Sequence, residues 1–401
     1  VKQLVLAATF VAANAFAQEP VVGPEVISDP IGASAAVTGA GAPAVRVIPD
    51  DGGFVVAWGA LADDQHFHVY AGRADASLHL VPGSVRMMPA WMGTDADADN
   101  LNIIRSGSGY IAAWLEASRS GGPAVRLAVT TLDASLNPSP PRLLLSANAL
   151  PPRLARLGDH VLAAGGRTMF PLDGSGTPTN IYDAGVDADD IAVANGEIFI
   201  TSHKSTHTPG LCLICRGPIP AVDAYDMTLV RLFHGALVAP TQGHLSSYAT
   251  ALGSDGSNVL LAWYDATAEN GGALFASYFR ALADDRPFRE PMRLGSIHRD
   301  LASPIARQPQ VASDGRRFVV VWQDRSGTDA QRDILGAVII PEERRVVPFT
   351  IAASDADETE PSIVAVADGE YVVAYNSKRD GVRRIAGRYV YFPPSRPRAV
   401  R

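Results

Sequence analysis

Asp314-Gly-Arg-Arg-Phe-Val-Val-Val-Trp322 decides how the whole 401-residue chain is read. Asp-Gly followed by an apolar run predicts a tight hairpin turn, because the turn needs a positive φ that Gly adopts without steric cost. The run Phe318 to Trp322 has no polar alternation, so the strand it forms must be covered on both faces; a strand with one wet face would alternate. The flanking residues extend the hairpin to four strands: Gln310 to Ser313 before the turn, Phe318 to Trp322 after it, then Ile334 to Ile340, and an outer strand from Val347 to Ala352.

The same phrase recurs along the chain. Clear copies end at Trp58, Trp114, Trp263, Trp322 and Tyr375, and two weaker ones, Gly158 to Gly165 and Asn195 to Ser202, lie between them. Successive final positions are 56, 51, 37, 61, 59 and 53 residues apart, so the chain carries seven copies. Four-stranded units at intervals of roughly forty to fifty residues are the signature of a β-propeller, a ring of blades. A ring must close. The last unit supplies only three strands, Ser362 to Ala365, Tyr371 to Tyr375 and Arg384 to Phe392. Pro24-Glu-Val-Ile-Ser-Asp29 resembles the outer-strand segments of other units and is assigned to the blade formed by residues 360 to 393.

With 47% hydrophobic residues, 34 Lys+Arg and 42 Asp+Glu, the composition is that of a folded chain and excludes disorder and collagen. The net charge of −8 and the lack of any basic block exclude nucleic acid, whose binding is mostly phosphate neutralisation. Val1 to Ala17 carries Lys2, the apolar run Leu4 to Ala12 and Ala15-Phe16-Ala17, and so reads as a secretory signal peptide with the mature chain opening at Gln18. The expected organisation is residues 1 to 17 as leader, 18 to 393 as one propeller and 394 to 401 as a disordered basic tail. No stretch is long and apolar enough to span a bilayer, so a secreted or periplasmic monomer is expected.

The blade phrase is similar to that of secreted bacterial β-propellers whose units read Asp-Gly-x-aromatic-Val-Val-Trp. The resemblance covers roughly residues 20 to 393 and is strongest from 303 to 393. It specifies architecture; propellers host binding modules, hydrolases and lyases alike. Sialidases, a propeller family, carry Asp-boxes that are missing here, and Arg46-Val47-Ile48-Pro49 only loosely echoes their arginine motif.

Ligands of propellers usually bind at one end of the central channel. The segments leading into the inner strands supply Asp99, Arg153, Asp189, Asp190, Tyr248, Arg307 and Glu360 to that mouth. Carboxylates just after the second strands, such as Glu116, Asp265 and Asp324, recur at one blade position and are read as scaffold, as are the Trp residues, whose indole N–H groups should find partners. Asp95-Ala-Asp-Ala-Asp-Asn100 alternates acidic oxygens like a calcium loop but lacks the Gly and the distant Glu that make such a loop specific. Asp355, Asp357 and Glu358 repeat the cluster, which favours a solvated turn or at most structural calcium. The fourth unit's excursion carries His203, His207, Cys212 and Cys215, the two cysteines being the chain's only ones. Their spacing admits a tetrahedral zinc, but an exported chain favours a Cys212–Cys215 disulfide, and free thiols stay open. Haem attachment is excluded because residue 216 is Arg. His66 and His68 alternate on a strand with nothing nearby to complete a metal site. There is no nucleophile elbow, phosphate loop or zinc-protease motif. No cofactor is required. The expected function is a secreted, non-catalytic binding module offering the channel mouth, with Asp99, Arg153, Asp190, His203, His207, Tyr248, Arg307 and Glu360, to a glycan or protein. The alternatives are a glycosidase or polysaccharide lyase at the same face, with carboxylates or Tyr248 and His203 moving protons, and a structural module of a cell surface.

Overall fold

The computed structural model describes residues 19–28, 45–62, 64–93, 96–118, 125–145, 149–208, 222–232, 237–238, 247–265, 272–280, 290–297, 308–325 and 331–392. They form a seven-bladed propeller of antiparallel sheets. Two short N-terminal strands, β1 (Val21–Val22) and β2 (Val26–Ile27), precede blade one, which is β3 (Val45–Asp50), β4 (Gly53–Leu61), β5 (Phe67–Asp75) and β6 (Arg86–Met87). Blade two is β7 (Ala96–Ser106), β8 (Gly109–Ser118), β9 (Arg126–Leu132) and β10 (Arg142–Leu145); blade three is β11 (Arg153–Leu157), β12 (His160–Leu172) and β13 (Tyr182–Ala188). Blade four is β14 (Asp190–Ala194), β15 (Glu197–Thr208), β16 (Val222–Arg231) and β17 (Leu237–Val238), and blade five is β18 (Ser247–Ser254), β19 (Asn258–Asp265), β20 (Ala273–Arg280) and β21 (Met292–Ser296). Blade six is β22 (Gln310–Ser313), β23 (Phe318–Arg325), β24 (Arg332–Ile340) and β25 (Arg345–Ala352), and blade seven starts with β26 (Asp357–Ala367), β27 (Glu370–Arg379) and β28 (Val382–Tyr391). The first strands of successive blades touch in sequence around the ring, β26 returning to β3.

The two-faced apolar strands are explained by where the core lies. Among the described residues there are seven buried clusters, one between each pair of neighbouring blades. In β23, Val320 and Trp322 enter the cluster shared with blade five, while Val319 and Val321 enter the one shared with blade seven. The turn at Gly315 takes φ 89°, as the Asp-Gly signal requires.

The ring closes as the sequence predicts, on blade seven. Val21 and Val22 pair with Tyr391 and Val390, and Val26 and Ile27 with Gly387 and Ala386. Side chains lock the seam. The Tyr375 hydroxyl donates to Glu25 Oε1 at 2.5 Å, Arg388 donates to the Tyr375 oxygen at 3.2 Å and to the Gly23 carbonyl at 3.1 Å, and Ser28 Oγ donates to the Ile385 carbonyl at 3.0 Å.

Blade three departs from the repeat in an unexpected way. A straight strand of the length of β12 would be roughly 40 Å long, far more than a blade is deep. Gly166 in its middle has φ 73°, and burial parity switches across it: Val161, Ala163, Phe170 and Leu172 share one cluster, whereas Leu162, Ala164 and Met169 share another. The strand therefore doubles back at Gly166 and supplies both the second and third strands, without the loop the other blades carry there. A second repeat, not foreseen, follows the third strand of blades one to three. Asp75, Asp133 and Asp173 each accept two backbone N–H groups, from Ser77 and His79, Ser135 and Asn137, and Ser175 and Thr177, around a left-handed Leu78, Leu136 or Gly176.

Candidate binding face at the channel mouth

The ladders place one residue of each inner strand opposite the position just before the blade Trp or its equivalent. Around the ring these residues are Arg46, Asn102, Arg153, Asp190, Ala251, Gln310 and Ser362, opposite Ala57, Ala113, Ala164, Thr201, Ala262, Val321 and Ala374. Six of the seven are polar, in a strand layer whose neighbours are apolar. They lie at or near the starts of β3, β11, β14 and β22 and midway along β7, β18 and β26, and so line the channel; the end at which second strands finish and third strands begin is called here the upper face.

One of these side chains, Arg153, reaches across the channel. Arg153 of blade three donates from Nε to the Asp189 carbonyl at 2.6 Å, lies 3.6 Å from the Asp190 carboxylate, and hydrogen-bonds Gln308 from the segment before blade six. Gln308 in turn donates to the carbonyls of Asp189, at 3.2 Å, and of Thr250. A polar bridge thus spans blades three to six. Asp190 accepts the N–H groups of Leu252 at 2.8 Å and of Ile191 at 3.0 Å, tying blade four to blade five.

Arg46 and Asp190 keep some accessible surface yet have protein on all sides, as expected of side chains in a narrow lumen. Burial, reinforced by Arg153 and opposed by Glu360 and Asp190, pushes the Arg46 guanidinium down to about 10, so it stays charged at neutral pH. Burial raises the Asp190 carboxyl above its ordinary value, against the pull of Arg153 and the two N–H donors. Glu360 stands at φ 55° in a bulge between Thr359 and Ser362, and Asn100 at φ 56° occupies the matching bulge of blade two. Asn tolerates that conformation; a Glu there is held by its surroundings, and its N–H donates to the buried Gln323 side chain at 2.8 Å.

Of the residues picked from sequence, Arg153, Asp190 and Glu360 come together through Arg46. Asp99 lies within β7 opposite Leu115, and Tyr248 within β18 opposite Tyr264. His203 and His207 are not on a loop, as expected, but on a ladder that continues β15 and β16 beyond the blade, opposite Met227 and Asp223. Arg307, Cys212, Cys215, residues 1–18 and the tail from 393 lie outside the described residues.

The acidic run 95–100 is not a loop either, since β7 begins at Ala96. Its Asp97 accepts the Phe67 N–H at 2.9 Å, and in the repeated cluster Asp357 accepts the Arg332 N–H at 3.2 Å and pairs with its guanidinium at 2.6 Å. These carboxylates are latches between consecutive blades rather than solvated turns, and no group of three potential ligands among the described residues is placed to hold a metal ion. His68 pairs with Asp64 at 2.9 Å and His66 lies 3.6 Å from Asp97, at the same joint of blades one and two. Glu116 is scaffold, as expected: fully buried, it accepts the N–H groups of Trp91 at 2.7 Å and Met92 at 2.9 Å and the Trp114 indole at 2.8 Å. The expectation for the other indoles is corrected, since Nε1 of Trp58, Trp263 and Trp322 is buried without a hydrogen-bond partner.

Sequence reading overlooked Arg46, Asn102, Gln308 and Trp91. A signal for Trp91 was present: it is the one Trp outside the blade phrase, in the connection from the outer strand of blade one to the inner strand of blade two.

No family model matches the chain, and no curated protein does. Among solved structures it is similar to a Dyadobacter fermentans protein of unknown function, with 12% identity, 76% of this chain and 96% of that one covered and a TM-score of 0.44. It is also similar to the β-propeller domain of the Trilobed protease from Pyrococcus furiosus, with 12% identity, coverage of 89% and 98% and a TM-score of 0.44. A third likeness is to the Bacillus subtilis arabinanase Arb43A, with 10% identity, coverage of 88% and 96% and a TM-score of 0.38. At such identities none of them says what this chain binds.

Proposed function

We propose that the protein is a secreted binding module that presents the upper face of its propeller to a glycan. The observation that carries this reading is the set of planar, hydrogen-bonding side chains, Arg46, Asn102, Arg153, Asp190, Gln308 and Glu360, that line the channel opening at that face. Sugars are recognised through arrays of hydroxyl groups, each needing a donor and an acceptor, and amides, carboxylates and guanidinium groups placed together supply both. The carboxylates of Glu116, Asp97 and Asp357 are engaged in holding the structure together.

A glycosidase at the same place is the second reading, favoured by one observation: the raised Asp190 carboxyl has the tendency a general acid needs. Both of its oxygens, however, already accept backbone N–H groups. A glycan array with the chain from Gln18 onward tests the proposal, with Arg46→Met and Arg153→Met as variants. Binding of a defined glycan that falls at least about ten-fold in both variants, with thermal unfolding retained, is the expected result. Binding untouched by either substitution places the site elsewhere, and release of reducing ends from a bound glycan moves the protein to the second reading.

A further inference from the structure

Trp91 is 41% exposed, whereas Trp58, Trp114, Trp263 and Trp322 are all buried. Its backbone is fixed, because its own N–H and that of Met92 both donate to Glu116, a carboxylate held in turn by the Trp114 indole. The side chain is therefore presented by a buried, fully hydrogen-bonded support. Arg126, at the start of β9 and opposite Glu116 in the ladder, lays its guanidinium over the indole with Cζ 5.5 Å from the ring centroid. Among the described residues no carboxylate forms an ion pair with Arg126, and its Nε is buried without a hydrogen-bond partner. The oxygens of Glu116, opposite it in the ladder, accept the three N–H groups and make no ion-pair contact with the guanidinium.

An exposed indole with a fixed backbone and a cation held against it, in ion-pair contact with no carboxylate among the described residues, is an amphipathic surface. The guanidinium lies over part of the indole and offers charge-assisted donors there, and the exposed remainder of the ring offers a flat apolar surface. A pyranose ring has the complementary form, with C–H groups on one face and polar groups at its edge. A carboxylate at that edge accepts from guanidinium donors that have no ion-pair contact among the described residues. We propose that Trp91 and Arg126 form a subsite for a uronic acid residue, the ring stacking on the indole and the carboxylate meeting the guanidinium. The subsite rests on the glycan reading above and narrows it to acidic polysaccharides. Both residues lie on the upper face, where β8 ends and β9 begins.

The test uses the chain from Gln18 onward, titrated with oligogalacturonate, with the same oligomer methyl-esterified, and with a cello-oligosaccharide. Calorimetry gives affinity, and indole fluorescence reports the exposed Trp. The expected result is oligogalacturonate binding about ten-fold or more tighter than its ester, weakening as salt is raised. Trp91→Ala should lose about ten-fold for acidic and esterified oligomers alike, and Trp91→Phe should keep most of the affinity. Arg126→Gln should remove the preference for the free acid while leaving affinity for the ester in place, a split that a merely misfolded variant would not give. Oligogalacturonate binding that ignores Trp91→Ala, or no preference of the wild type for the free acid, overturns the subsite and leaves the channel-mouth reading standing. Absence of binding to any saccharide, in these titrations and on the array, overturns both.

Discussion

Glu25 reaches the fold from the opposite end of the sequence to its partners, and replacing it should open the seam of blade seven. Its carboxylate accepts the Tyr375 hydroxyl at 2.5 Å and lies 3.9 Å from the Arg388 guanidinium, with both ionic side chains mostly buried. A hydrogen bond to a charged group contributes roughly 1.5–3 kcal/mol, and a partly screened ion pair adds about 1 kcal/mol or less. Glu25→Ala should therefore cost about 2–4 kcal/mol. At roughly 2 cal/mol/K of unfolding entropy per residue, a chain of this size should lose about 3–5 °C in Tm. Loss of a side chain alone could do that, so the decisive measurement is a double-mutant cycle with Tyr375→Phe. If the hydroxyl and the carboxylate act on each other as the geometry says, the two costs should fall short of additivity by about 1–3 kcal/mol. Denaturant or thermal unfolding of the four proteins gives the cycle. Additivity within about 0.5 kcal/mol would refute the lock and leave the seam to its backbone pairs alone.

Glycine is required by close approach at position 253, where an added Cβ would stand 2.2 Å from Val311 Cγ1; Gly253→Ala should force the inner strands of blades five and six apart and cost about 1–3 kcal/mol in unfolding measurements, whereas an unchanged midpoint would mean the ring absorbs the methyl. Glu358 is fully buried, with Oε1 accepting from Ser354 at 2.7 Å and Oε2 unpartnered. Burial raises its pKa, the Ser354 hydrogen bond opposes this, and repulsion from Glu25 and Asp333 adds to it. The native state thus holds this proton more tightly than the unfolded chain, so its stabilising contribution is complete below the ordinary carboxylate range and fades as pH rises through the raised pKa. Glu358→Gln should flatten that part of the stability-pH curve and add about 1 kcal/mol near neutrality; an unchanged curve would show that Glu358 does not titrate in that window.

The architecture was legible because Phe318 to Trp322 and its copies obey a local rule: a strand apolar on both faces needs a blade on each side. The closure was legible as a strand missing at one end and surplus at the other. The reversal at Gly166 was not, since Gly165-Gly166 reads as a weak strand until the length and burial of β12 show the chain turning. The polar lining of the channel was half legible. Arg153 and Asp190 follow from the repeat, but Arg46 depends on ladder register, which a bulge such as that at Glu360 shifts by a residue or more. Gln308 acts only by reaching across the ring, and no local pattern reports a partner 155 residues away. Trp91 was visible as the Trp that breaks the phrase, yet whether it is buried or exposed is decided by what packs around it. Asp97 and Asp357 were misread because carboxylates that cap a neighbouring blade and carboxylates that coordinate an ion have the same spacing.

The closing blade sets an order of events during synthesis and folding. Ser28 and Ile385 are bonded across 357 residues, so the earliest strands of the ring must remain unpaired while all the intervening blades are made. Local hairpins can form and stack as they emerge, since each blade packs on the one before it. The join between blades seven and one comes last, and it carries the loop-closure cost of almost the entire domain. Until then blade one shows the solvent the face that later meets Val372, Ala374 and Ile385, and the exposed edge of β28 is a template for any stray strand. A newly made chain at high concentration has two ways to finish, with its own N-terminal strand or with that of another copy. The short sequence Val21 to Ser28 is therefore where a solitary ring and a strand-exchanged dimer part company.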